Sequence, residues 1–153
     1  MDKIQFKKFC DTEFKKRNFI KANKGYYLNG DKGVLCGIFF QKSDFSDSYY
    51  INYYFFLGEF KDKKSYPICY DLDVQGRITV ISKTETIKGE YLLTAAIEYE
   101  MYSEEELRPH FDKAFEEQIL PPIYQGKKYI LDNLKKLYFL TLRQDDVMQK
   151  LLS

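Results

Sequence analysis

Residues 34–57, VLCGIFFQKSDFSDSYYINYYFFL, constrain the fold of this chain more than any other stretch. Two apolar, β-prone runs, 34–40 and 49–57, flank the polar segment 41–48. β-Branched and aromatic side chains suit a pleated, buried surface, so the pattern predicts the central hairpin of an antiparallel sheet. Strand side chains alternate between faces. Tyr49, Ile51, Tyr53, Phe55 and Leu57 therefore share one face, and Tyr50, Asn52, Tyr54 and Phe56 the other. In the first run Val34, Cys36, Ile38 and Phe40 oppose Leu35, Gly37, Phe39 and Gln41. With two apolar faces, the sheet is covered on both sides or keeps a partly open aromatic groove on one. Gly37, Gln41 and Asn52 interrupt the less apolar faces. The plainer reading makes Asn52 a structural hydrogen-bonding residue and Gly37 a bulge or close approach. The sharper reading is a groove with a polar floor and tyrosine walls.

The flanking segments predict what packs on this hairpin. Residues 3–17 carry Phe6, Phe9, Cys10 and Phe14 on one helical stripe, with lysines on the others. Lys15, Lys16 and Arg17 stand where a helix C-terminus favours cations, and Asn18 closes it. Residues 25–28 read as a short strand, and Asn29-Gly30 with Gly33 as a turn into the central run. Gly58 ends the second run, and residues 61–65 form a solvated turn. Ile68, Tyr70, Leu72 and Val74 alternate with Cys69, Asp71, Asp73 and Gln75, as in a half-buried strand. Gln75-Gly76 reads as a tight turn into a strand over 77–82, with Ile78 and Val80 inward. Lys88-Gly89 is the next breaker. Residues 91–99, YLLTAAIEY, mix both tendencies and are read as a helix.

Ser103 and Glu106 form a capping box, and Pro109 moves the main helix start to about its own position. Leu107, Phe111, Ala114, Phe115 and Ile119 form its stripe, and Pro121-Pro122 stops it. Ile130, Leu134, Leu137 and Thr141 predict a second helix. Asp145 and Asp146 open a last short one with Val147, Met148, Leu151 and Leu152. No repeat or linker is visible, and 153 residues suit one domain. The fold class is therefore α+β: an antiparallel sheet, an N-terminal helix and C-terminal helices packed on it, as a single domain over residues 1–153.

Composition narrows the function classes. Net charge is +1, so bulk electrostatics name no partner, although residues 1–33 hold nine Lys/Arg against four Asp/Glu. The chain has 13 Phe and 14 Tyr but no Trp, and tyrosine suits half-buried surfaces and interfaces. Three cysteines, Cys10, Cys36 and Cys69, with no CxxC spacing fit reduced thiols in the cytoplasm. The N-terminus lacks the apolar core of a secretory signal, and no apolar run is long enough to span a bilayer as a helix.

The segments Phe14–Phe19 (FKKRNF), Tyr26–Leu28 (YYL), Ile38–Ser43 (IFFQKS), Tyr50–Asn52 (YIN) and Ile119–Pro122 (ILPP) resemble a bacterial domain of unknown function, DUF4304. The resemblance covers most of the chain but is poor over residues 60–100, where the family's more Trp-rich stretch is absent. It implies a bacterial, intracellular, single-domain α+β protein and supplies no catalytic residue.

The chemistry in the sequence is sparse. The one histidine, His110, sits near a helix start with no cysteine placed beside it, which favours a surface histidine over a catalytic one. Zinc-type His/Cys spacing is missing, as are phosphate-loop motifs, so no metal or cofactor is expected. The leading reading is a non-enzymatic binding module. Gln41, Lys42, Ser43, Tyr50, Asn52 and Tyr54 on a Tyr-rich sheet face would hold a protein segment or small ligand. An immunity- or antitoxin-like role is a specialisation that small orphan bacterial domains often serve. The alternatives are a hydrolase or metal-assisted enzyme using Asp71, Asp73 or Glu59, and a nucleic-acid binder. The last would use Lys7, Lys8, Lys15, Lys16, Arg17, Lys21 and Lys24 near Phe19, Tyr26 and Tyr27.

Overall fold

Asp2 opens the first helix, α1 (Lys3–Lys15), by a reciprocal cap. Its carboxylate accepts from the Gln5 N–H at 2.8 Å, and the Gln5 side chain accepts from the Asp2 N–H at 3.0 Å. Phe6, Phe9, Cys10 and Phe14 are buried as the stripe predicts, and Asn18 ends the turn in the left-handed region at φ 71°. A computed structural model describes residues 1–68, 74–137, 139–142 and 149–153, with the backbone alone at 139–142.

Three hairpin-linked strands and a fourth follow. They are β1 (Ile20–Ala22), β2 (Gly25–Asn29), β3 (Val34–Lys42) and β4 (Tyr49–Leu57). β1 was not legible in the sequence. It pairs with β2 across the turn at Asn23 and Lys24, both of which take positive φ. β5 (Val74–Arg77) pairs with β4, and β8 (Phe139–Leu142) with β5. The six strands run β1-β2-β3-β4-β5-β8, all antiparallel, with β3 and β4 in the middle. Their register is continuous from Val34↔Leu57 to Lys42↔Tyr49, so the expected central hairpin stands. β6 (Val80–Ile87) and β7 (Glu90–Thr94) form a separate two-stranded ribbon.

Both sheet faces are covered. Val34, Cys36 and Ile38 with Tyr49, Ile51, Tyr53, Phe55 and Leu57 face α1 and the C-terminal helices. Phe14 packs there against Tyr26, Phe111 and Phe115, and each such fully buried ring contributes about 1.5–3 kcal/mol. Arg17 bridges the helices. It bonds Glu13 at 3.2 Å, pairs with Asp112 and lies 4.4 Å from the Phe115 ring centroid. On the second face Tyr27, Leu35, Phe39, Tyr54 and Phe56 form a smaller cluster under Phe60 and Tyr66. The segment after β4 is tied over it by Tyr27 Oη donating to Pro67 O at 2.8 Å and Asn29 Nδ2 to Phe60 O at 2.8 Å. Gly37 is a close approach, not a bulge: a Cβ there would meet Tyr27, Phe39 and Phe56 at 3.1–3.2 Å.

Several expectations are corrected. Gln75-Gly76 is not a turn but the interior of β5 opposite Tyr54 and Tyr53. Gly76 is there because the Tyr53 ring lies where a side chain would be. Residues 91–99 do not form an α-helix: 91–94 belong to β7, and Tyr99 only opens a 3₁₀ turn, Tyr99–Met101. Lys88 and Gly89 both take positive φ (52° and 82°), which makes a tight hairpin turn and sends β7 back along β6. Pro109 does not delay its helix: α2 (Glu104–Ala114) starts from the Ser103–Glu106 capping box and contains the proline. Pro121-Pro122 does not stop the chain's helical course. A wide turn over Phe115–Ile119, closed by Leu120 N–H on Phe115 O, resets the register. The prolines then open α3 (Leu120–Gln125), where their missing N–H groups are not needed. α4 (Lys127–Asp132) ends well before Thr141, which lies instead in β8. Ile68 is exposed and precedes no described strand until Val74. Residues 69–73 and 143–148, which hold Cys69, Asp71, Asp73, Asp145, Asp146, Val147 and Met148, lie outside the described residues. No described helix is long and apolar enough to cross a membrane.

Candidate functional site

The polar positions of the second face gather at the end that the segment after β4 leaves open. Gln41 and Tyr50 are cross-strand partners on β3 and β4, and Asn52 pairs with Arg77 across β4 and β5. Since period-2 alternation puts Gln41, Tyr50, Asn52, Gln75 and Arg77 on one face, their side chains meet. Asn52 Nδ2 donates to Gln41 Oε1 at 3.0 Å. Arg77 Nε donates to Asn52 Oδ1 at 2.9 Å, and Arg77 Nη2 to Gln41 Oε1 at 3.3 Å. Gln75 Nε2 reaches Asn52 Oδ1 at 3.4 Å. The Arg77 guanidinium stacks 4.2 Å from the Tyr50 ring centroid.

Asn52 is 3% exposed, so its amide must be bonded on both sides. It is, and the result is a fixed guanidinium. The planar group spends one edge on two neutral amides and one face on an aromatic ring. Five N–H donors are available to arginine. Nη1 has no acceptor, and no carboxylate pairs with Arg77, among the described residues. A cation of this geometry is matched to a bidentate carboxylate or phosphate.

The residues expected from the sequence divide. Gln41, Tyr50 and Asn52 come together in this cluster. Tyr54 does not form an open wall: it is 6% exposed and packs at 5.7 Å on Phe39 and 6.3 Å on Phe56. Lys42 is exposed and points to the opposite face by strand alternation. Ser43 is buried and closes the β3–β4 loop, its N–H on Ser48 O at 3.0 Å and its Oγ accepting from Phe45 N–H at 3.2 Å. Arg77 and Gln75 were missed. Reading Gln75-Gly76 as a turn put the two residues at the ends of two different strands, whereas both lie in β5 on the face of Asn52. Glu59 is exposed, and Asp71 and Asp73 fall outside the described residues.

Other reactive groups are poorly placed for chemistry. Cys10 and Cys36 are buried free thiols, and desolvation pushes both well above the usual thiol range. His110 is pushed below its ordinary value, first by burial and then by Lys113. Among the described residues no three His, Cys, Asp or Glu side chains converge to hold a metal ion.

A family model described as Domain of unknown function (DUF4304) matches residues 11–123, a span running from α1 through α3. Neither the curated proteins nor the solved structures include a match to the chain.

Proposed function

The chain belongs to the DUF4304 family of domains of unknown function, whose description names no activity, and we propose from the site's geometry that it is a binding module for an acidic protein segment. The segment lies on the open end of the second sheet face. Its carboxylate takes the uncommitted N–H groups of Arg77, those of Nη1 first, and its apolar flank lies against Tyr50. One observation carries this reading: Arg77 is stacked on Tyr50 and oriented by Asn52 and Gln41, with no carboxylate partner among the described residues. Tyrosine and arginine are the residues in which binding energy concentrates at protein interfaces. An immunity- or antitoxin-like role is one setting in which such a module would work.

A random-peptide display selection tests the proposal, run against the protein and counter-selected on an Arg77→Gln variant. Enrichment of Asp, Glu or a C-terminal carboxylate at one fixed position, lost on Arg77→Gln, supports it. Selection without acidic enrichment, or enrichment retained by the variant, overturns it.

A further inference from the structure

A second feature lies on the α1 side of the sheet, where the helix passes β1, β2 and β3. A cavity of about 640 Å³ opens there, lined by Lys7, Lys8, Asp11, Lys15, Lys21, Lys24, Tyr26 and Phe40. Helical spacing puts Lys7, Asp11 and Lys15 in one row on α1. The turn at Asn23 and Lys24 brings Lys21 and Lys24 up to meet them. Five lysines against one aspartate give the lining a net charge of +4, in a chain whose total is +1. The rest of the molecule is therefore net acidic, and the positive charge is concentrated in this cavity.

The single carboxylate is already engaged. Asp11 accepts from Tyr26 Oη at 2.6 Å and pairs with Lys15 at 3.1 Å. Among the described residues Lys7, Lys8, Lys21 and Lys24 make no ion pair. Lys7 is held over rings instead, 4.0 Å from the Phe40 centroid and 4.4 Å from that of Tyr49. A ring face stabilises the ammonium but accepts no ordinary hydrogen bond. Burial lowers the Lys7 pKa, and the charges of Lys3 and Lys21 lower it further. An anion entering the cavity would offset both effects with its opposite charge.

We propose that this cavity binds a compact oligophosphate group, with Lys7 and Lys21 as its inner contacts and Lys8, Lys15 and Lys24 around the rim. Lysine is a point-charge partner for phosphate, and a single phosphate, with a charge of about −2 near neutral pH, leaves part of the charge of the four unpaired ammonium groups uncompensated. The volume falls in the range of small-molecule sites. Its confinement between one helix and one hairpin turn suits a short phosphate chain better than a long backbone, which requires an extended basic stripe. The site shares no residue with the Arg77 cluster.

Calorimetric titration at low salt tests it, with sodium tripolyphosphate, inorganic phosphate and oligothymidylates of increasing length as probes. Tripolyphosphate should bind more tightly than phosphate. A Lys7→Gln/Lys21→Gln variant, shown folded by its thermal melt, should lose affinity by about tenfold or more, equivalent to about 1.4 kcal/mol. A Lys61→Gln/Lys63→Gln control should bind as the parent does. Absence of binding, or equal weakening in the control, overturns the site. Oligothymidylate affinity that exceeds that of tripolyphosphate and climbs with length overturns the compact-ligand assignment in favour of a nucleic-acid backbone.

Discussion

Gly76→Ala is the substitution that most sharply tests how this sheet is packed. A Cβ built on Gly76 lies 2.2 Å from Tyr53 Cζ, 2.3 Å from its Oη and 2.4 Å from its Cε2. Carbon atoms in contact prefer about 3.5–4.0 Å, so the ring must retreat by more than about 1 Å. It has nowhere to go: Tyr53 is 1% exposed and rests against Phe55 at 5.7 Å. β5 cannot yield instead without disturbing its pairing to β4 on one side and β8 on the other. Overpacking a core typically costs about 1–3 kcal/mol, and the clash with a rigid ring puts this variant near 3 kcal/mol. Tyr53→Leu removes the obstructing atoms and by itself costs about 2–4 kcal/mol as a large-to-small core change. In that background Gly76→Ala should cost less than about 1 kcal/mol, a coupling of about 2 kcal/mol between contacting residues. Urea unfolding followed by circular dichroism measures all four proteins. A Gly76→Ala protein within about 0.5 kcal/mol of the parent, or an equal cost in both backgrounds, refutes the reasoning.

Other outcomes follow from the same contacts. Arg17→Ala should destabilise the protein by about 2–4 kcal/mol, because it strips Glu13 and Asp112 of a largely buried partner. Arg17→Lys should recover less than half, since an ammonium cannot bond both carboxylates and cover the Phe115 ring; chemical denaturation reads both. His110 has a folded-state pKa below its ordinary value of 6.5. The unfolded chain therefore takes up its proton first. His110 contributes full stability above about pH 6.5 and loses it as the pH falls through the folded value. Melting temperature should drop over that window in the parent and drop less in His110→Gln. In a Cys69→Ser variant, a thiol reagent should leave Cys10 and Cys36 unmodified in the native state and label both in denaturant, because burial keeps them protonated and inaccessible. Rapid native labelling would contradict their placement.

The central strands were legible because their pattern was redundant. Each run held apolar residues on both faces, which implies cover on both sides or an aromatic groove on one, and a buried cluster lies on each. The first helix was legible for the same reason, with stripe, terminal cations and closing asparagine all agreeing. The failures share a cause: local signals that tertiary context reassigned. Gly76 looked like a turn glycine, but its role is set by Tyr53, more than twenty positions away. The double proline looked like a stop until a wide turn shifted where it fell in the helix. Thr141 continued a helical stripe on paper, yet the open edge of β5 recruited it into the sheet. Half of the expected site residues met in space because alternation places them. The other contributors, Gln75 and Arg77, depended on recognising a four-residue strand that contains a glycine.

The measurement closest to the functional proposal is an NMR titration of the Arg77 side-chain Nε–H resonance. The probes are a short Asp/Glu-rich peptide and the same peptide with Asn/Gln in place of its acids. A saturable shift at Arg77 with the acidic peptide alone, accompanied by shifts at Tyr50 and Asn52, is the expected result. No shift, or the same shift with the neutral peptide, would mean that the Arg77 cluster is only part of the sheet's own packing.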